Sequence, residues 1–222
     1  YPKVESFIKY QLFTKEVELS DPQTMRNLSE IHPKEILKTT FKKAIDELTI
    51  TDKGTAEVKN FISLKLTKPK VAENQPFLVP KKSVFNKIIG DNPFELEFSS
   101  FCESRFNDVV SFAKNTFGEG GVNFSIEYQK ENGNIASFFP DFFIKTSPTT
   151  FYILETKGRE DLDDIRKIQR LATWCKDINT AQTEYTYTPV YIKQEKWEEV
   201  KNDLKSFNDA IKIFKVTENK EA

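Results

Sequence analysis

Two apolar runs held either side of a turn constrain this chain more than any other stretch. Phe138 to Lys145 reads Phe-Phe-Pro-Asp-Phe-Phe-Ile-Lys, and Phe151 to Gly158 reads Phe-Tyr-Ile-Leu-Glu-Thr-Lys-Gly. Between them lies a turn-forming segment centred on Ser147-Pro148-Thr149. Aromatic and β-branched residues flanking such a segment specify a β-hairpin with a longer loop. Asp141, Glu155 and Lys157 interrupt the apolar runs, and charged side chains in strands this apolar need a physical reason.

Strand geometry supplies one. Side chains alternate across a strand, so Glu155 and Lys157 share a face. A hairpin symmetric about Pro148 pairs Lys145 with Phe151, Phe143 with Ile153 and Asp141 with Glu155. The two carboxylates then face each other with Cβ atoms about 4.5–5.5 Å apart. Opposed carboxylates repel, and burying either charge without compensation costs several kcal/mol. A divalent cation removes that cost, because Mg²⁺ is held by one or two carboxylates plus phosphate oxygens of a substrate. Lys157 adds a positive charge suited to orienting water or offsetting charge that develops on a phosphate. The pattern reads as a hydrolytic metal site with Mg²⁺ as cofactor and Mn²⁺ as a substitute.

Composition narrows the alternatives. Of 222 residues, 38% are hydrophobic and 20 are Phe, enough for a folded core and for one large domain with an accessory region. No apolar run approaches the ~18–20 residues of a membrane helix, so a cytoplasmic protein without a membrane partner is expected. The chain opens on Tyr1 in mid-pattern, which suggests a fragment of a longer polypeptide. Its net charge of −1 argues against a dedicated DNA-binding module, though not against a nuclease whose DNA is delivered by another region. Two cysteines, Cys102 and Cys175, are too few for a disulfide framework or a zinc knuckle. With His32 the single histidine, neither a Ser-His-Asp triad nor a His-based metal centre can be assembled. Acids and lysine must carry any hydrolysis.

Along the chain, residues 1–20 alternate as a strand would, and Pro33 opens a helix with Ile36, Leu37, Phe41 and Ala44 on one face. Phe61 to Leu66 reads as a strand, and Thr67 to Pro80 as a connector. Asp91-Asn92-Pro93 is a helix start, dividing an accessory region of residues 1–90 from a domain of residues 91–222. Residues 108–115 fit helix or strand equally well. Phe124 to Tyr128, the Asp141 strand and the Glu155 strand are expected to form three consecutive antiparallel strands. Leu162, Ile165, Ile168, Leu171 and Cys175 mark an amphipathic helix, with a strand at Pro189 to Lys193 after it. A helix from Glu195 to Phe207 and a strand from Ala210 to Val216 are expected to finish the chain. The class is α/β: a mixed central sheet flanked by helices.

Pro140-Asp141 followed by Glu155-Thr156-Lys157 resembles the PD-(D/E)XK nuclease signature. A longer string narrows the likeness to the C-terminal endonuclease domain of type III restriction enzyme Res subunits. It comprises Phe94-Glu95, Phe98, Phe101, Asp108-Val109, Lys114-Asn115, Ile126, Tyr128, Leu154, Gly158, Lys167 and Trp174-Cys175. The resemblance implies a restriction-endonuclease-like fold and Mg²⁺-dependent hydrolysis of DNA phosphodiesters, with Asp141, Glu155 and Lys157 catalytic. It also implies the carbonyl of Thr156 as a third metal ligand, Glu95 of the first helix as a further acid at the metal, and Lys167 as a contact to DNA phosphate. Its partners would be DNA, a helicase-like motor region of the same polypeptide and a methyltransferase subunit. The alternative is a catalytically silent nuclease-fold domain that docks within a larger DNA-processing complex. An acid–base pair for glycoside hydrolysis is disfavoured by Lys157 beside the two carboxylates.

Overall fold

The computed structural model describes residues 2–51, 55–64, 67–130, 133–159 and 161–216. Its contacts divide the chain into two compact units, residues 1–53 with 132–134, and residues 54–131 with 135–222. The division thus precedes the expected one at residue 91, and residues 55–90 belong with the larger unit, whose core takes in Phe85 and Ile88.

The smaller unit is helical. α1 (Pro2–Phe7) runs into a π-helical turn at Ile8–Leu12, followed by α2 (Pro22–Ser29) and α3 (Ile31–Thr51). Asp21 caps α2 by accepting from the Thr24 amide at 2.9 Å, and Pro22 occupies the first turn, where its missing N–H costs nothing. The strand expected over residues 1–20 is therefore corrected to helix over residues 2–12, with turns and irregular backbone over residues 13–20. Val4, Phe7, Ile8 and Leu12 have helical spacing as well as rough alternation, and the helical period prevails.

The larger unit is a mixed sheet flanked by helices. Two short antiparallel strands come first, β1 (Phe77–Leu78) and β2 (Ile88–Ile89). α4 (Pro93–Ser100) follows, capped by Asn92 and extended by a π-helical turn at Phe101–Arg105. β3 (Ser111–Lys114) settles residues 108–115 as strand at their end. β4 (Ile126–Gln129) and β5 (Ile135–Phe138) form an antiparallel pair of their own. β6 (Phe142–Lys145), β7 (Thr150–Lys157), α5 (Asp164–Ala181), β8 (Thr186–Lys193), α6 (Gln194–Val200) and α7 (Phe207–Phe214) complete the chain. The main sheet has the order β3-β6-β7-β8, antiparallel except for the β7–β8 pair. That parallel pair requires the crossover that α5 provides.

The hairpin has the expected register: Lys145 pairs with Phe151, and Phe143 with Ile153. Both faces of the sheet are covered. Phe142, Leu154, Val190 and Ile192 pack with Phe98, Trp197 and Phe207 in one buried cluster. Ile153 packs with Leu171 and Cys175 of α5 and with Ile126 and Phe138 in the other. Trp197 is fully buried, with ring contacts to Phe98 at 5.6 Å and Phe101 at 4.9 Å. Alternation along β7 therefore sends Leu154 and Thr156 to the Trp197 side, and Ile153, Glu155 and Lys157 to the α5 side.

Three further expectations are corrected. β6 pairs with β3 and not with the β4–β5 unit, because Phe139-Pro140 separates β5 from β6 and proline cannot donate to a ladder. Residues 61–64 form no strand, and Lys65 and Leu66 lie outside the described residues. The expected strand over Ala210–Val216 is mostly helix α7. Phe207, Ala210, Ile211 and Phe214 carry the helical period, and Ser206 and Asp209 form a reciprocal capping box. A single antiparallel bridge, Val190 to Lys215, is what remains of extended structure there. Within α5, Ile168, Leu171 and Cys175 are buried as expected, whereas Leu162 and Ile165 are exposed.

Candidate active site

The site forms where the hairpin strands run out of the sheet. Asp141 lies one residue before β6, just past the last paired positions, Phe142 and Leu154. Its own carbonyl accepts from the Asn115 amide at 2.7 Å, tying it to the end of β3. Thr156 engages one carboxylate oxygen twice: its amide donates to Asp141 Oδ2 at 2.7 Å and its hydroxyl at 2.6 Å. A cavity of about 450 Å³ opens at this end of the sheet. Its walls include Glu95, Asp141, Glu155, Thr156, Lys157 and Gln194. Five residues expected at the site from sequence thus meet in one cavity.

Neither Asp141 nor Glu155 forms an ion pair with any described residue. Burial pushes the Asp141 carboxyl up to about 6, and the nearby Glu95 charge adds to the rise while the Thr156 hydrogen bonds oppose it. Burial raises Glu155 well above the usual carboxylate range, and the charge of Asp141 raises it further. Glu155 Oε2 is fully buried without a hydrogen-bond partner. Such an atom carries the full desolvation penalty of an acceptor that gains nothing in return.

Glu95 stands in contrast. It is 4% exposed, yet both oxygens are engaged. Oε1 accepts from Asn92 Nδ2 at 2.8 Å, and Oε2 from the Asp91 amide at 3.0 Å and from Lys114 at 2.8 Å. Lys114, itself 3% exposed, also pairs with Asp91 at 2.6 Å. Burial lowers the Lys114 pKa, but hydrogen bonds to Asp91 and Glu95 outweigh it and the net shift is upward. Glu95 therefore reaches the cavity as the counter-ion of Lys114, a pairing with no local signal in the chain.

Lys157 reaches the cavity from β7 and is held from α5: its Nζ lies 3.0 Å from Asp164 Oδ1 and 3.5 Å from Asp161. Lys167 is not part of the cavity wall. It pairs with the same two acids, at 2.9 Å to Asp164 and 3.1 Å to Asp161. Asp164, 3% exposed, is the residue that sequence reasoning missed. Its one visible signal was its place in the first turn of a helix, where acids are favoured by the helix dipole alone. Cys102 and Cys175 are buried free thiols, pushed up by burial and in Cys175 to about 12, which leaves both unreactive.

Among the described residues no group of three or more His, Cys, Asp or Glu side chains is disposed to cage a metal ion. The arrangement still fits a hard cation of the Mg²⁺ type, which takes few protein ligands and draws the rest from water and substrate. Two carboxyl groups on one cavity wall, neither ion-paired among the described residues and one with a buried and unpartnered oxygen, form such a donor set. No helix among the described residues is long and apolar enough to cross a membrane. Set against protein-family models, curated proteins and solved structures, the chain matches none.

Proposed function

We propose that the larger unit is a Mg²⁺-dependent endodeoxyribonuclease of the PD-(D/E)XK type, and that it serves a type III restriction enzyme. One observation carries the reading: the lysines around the cavity are matched by acids other than Asp141 and Glu155. Lys114 is neutralised by Glu95 and Asp91, and Lys157 and Lys167 by Asp164 and Asp161. The two hairpin carboxyls are left without a counter-ion on the wall of an open cavity, and a divalent cation is suited to take up their charge as they ionise.

Asp141 and Glu155 would hold the ion, with the Thr156 carbonyl contributing as the resemblance implies. When bound, Mg²⁺ supplies Lewis-acid polarisation of a phosphoryl oxygen and acidifies water. The protein's own residues do the rest. Thr156 fixes the Asp141 carboxylate by two short hydrogen bonds, so its orientation is set before any substrate arrives. Lys157 brings an ammonium to the same wall, where it orients water and offsets charge on the departing oxygen. Glu95 keeps Lys114 neutralised behind the site and is not required as a ligand.

The reading brings with it DNA as substrate, a motor region and a methyltransferase as partners, and a cytoplasmic setting. It is tested by incubating the chain with plasmid and linear DNA in Mg²⁺ or Mn²⁺. Cleavage is expected with the native sequence, to be abolished by EDTA and by Asp141→Ala or Lys157→Ala in variants that remain folded. Cleavage at the native rate by either variant, or in the presence of EDTA, overturns it.

A further inference from the structure

We infer that Asp164 is the positioning residue for Lys157, and that Lys167 is its second counter-charge and not a contact to substrate phosphate. The inference deepens the nuclease reading and rests on it for the identity of the substrate. Asp164 is the first residue of α5, the helix that directly follows β7, and only 3% of its surface is exposed. A buried carboxylate needs partners, and Asp164 has three. Its Oδ2 accepts from the Asp161 amide at 2.7 Å, while Oδ1 takes both Lys157 at 3.0 Å and Lys167 at 2.9 Å. One oxygen thus fixes two ammonium groups, and the other ties Asp161 to the start of α5.

The two lysines differ in what lies on their free side. Lys157 is part of the cavity wall and Lys167 is not. An ammonium has three donor protons, and Lys167 gives hydrogen bonds to both Asp161 and Asp164 with a side chain 17% exposed. With two of these protons given to the acids and its place outside the cavity wall, Lys167 would reach a phosphate at the site only by moving away from a buried carboxylate, leaving Asp164 with one cation fewer. The arrangement is electrically closed: two acids, two bases. Without Lys167, Asp164 and Asp161 would draw Lys157 more strongly to themselves and away from the cavity. With it, the acids' charge is shared, and Lys157 stays fixed yet available.

The experiment uses the full chain and three variants, Asp164→Asn, Asp164→Glu and Lys167→Met. Asparagine retains an oxygen for the Asp161 amide, so the loop can still close. The first readout needs neither metal nor DNA: ¹⁵N-lysine spectra of the ammonium groups, whose protons survive exchange when hydrogen-bonded and buried. Protected signals are expected from Lys157 and Lys167, lost together in Asp164→Asn and partly restored in Asp164→Glu. A Lys157 signal unchanged in Asp164→Asn overturns the inference. The second readout is the salt dependence of duplex DNA binding. Lys167→Met is expected to leave the slope of log K against log salt unchanged, whereas a phosphate contact would reduce it by about 0.9 and overturn the inference. The third is cleavage, where Asp164→Asn is expected to lower kcat by about 10–100-fold with KM unaltered, as for residues that orient a working group. A rise in KM with kcat intact contradicts it. If the native chain cleaves no DNA, the nuclease reading fails while the ammonium spectra still decide the positioning role.

Discussion

Two buried charge clusters sit at the same end of the sheet and are handled in opposite ways. Around Lys114 every charge is answered: Glu95 and Asp91 hold the ammonium, and Asn92 and a backbone amide complete the Glu95 carboxylate. At Asp141 and Glu155 two acids line one cavity without an ion-pair partner among the described residues, Thr156 holding one Asp141 oxygen. The first arrangement is what a fold uses to bury charge safely. The second lowers stability in the free protein, and unresolved charge of this kind concentrates where a site awaits a ligand. Burial alone does not distinguish them. Satisfaction does.

The comparison breaks most readily at Lys114. Lys114→Met leaves Glu95 buried beside Asp91 without its cation, and is expected to destabilise the chain by about 3–5 kcal/mol in urea unfolding. A loss below 1 kcal/mol would place Lys114 outside the structural role. The opposite sign is expected across the cavity. Asp141→Asn removes a repelled charge while keeping an acceptor for Thr156, so the metal-free protein should gain on the order of 2 kcal/mol at pH 7, discounted for partial exposure. The same change should lower Mg²⁺-dependent cleavage more than about 100-fold.

The pH dependence sharpens the same contrast. Asp141 keeps its proton up to about pH 6 in the fold, against an ordinary value of 3.8. Between those values the folded chain binds more protons than the unfolded one, so this carboxyl makes stability fall as pH rises from about 4 to about 6. Glu155, also raised by burial, adds a fall of the same sign. Thermal unfolding of the metal-free chain over this range should show the decline, and Asp141→Asn should flatten its lower part. A rise in stability over the same interval, attributable to Asp141 by that variant, would contradict the shift. Smallest of all should be the effect of Glu95→Gln on cation affinity. Glu95 serves Lys114, so a change of less than about threefold is expected by calorimetry, within the range of an indirect effect.

How much of this could be read from the residues depends on whether the signal was local. The hairpin register is legible because the turn lies midway between two matched runs; the paired positions end at Phe142 and Leu154, one short of Asp141 and Glu155. The β7–α5–β8 crossover was legible from the change of period after Gly158. Ala210 to Val216 reads as strand from its β-branched and aromatic content, yet the apolar spacing from Phe207 to Phe214 and the Ser206 cap make most of it helix. The pairing of β6 with β3 was not legible, since nothing near Phe142 identifies a partner strand some thirty residues earlier, and the register of non-local strands depends on the whole packing arrangement. The fate of the charges was hidden for the same reason. Lys114, Glu95 and Asp91 meet only when β3 passes under the start of α4, and Asp164 is buried only once the loop after β7 folds back.

The central claim is that Asp141 and Glu155 share a cation that Glu95 does not need. Titrating the metal-free chain with Mn²⁺ in a calorimeter, in two buffers of different ionisation enthalpy, tests it directly. Saturable binding with proton release is expected, because the raised carboxyls must give up protons to ligate. It should be lost in Asp141→Asn and Glu155→Gln and kept in Glu95→Gln. Absence of saturable binding in the native chain, or Glu155→Gln binding as tightly as the native sequence, would contradict the account.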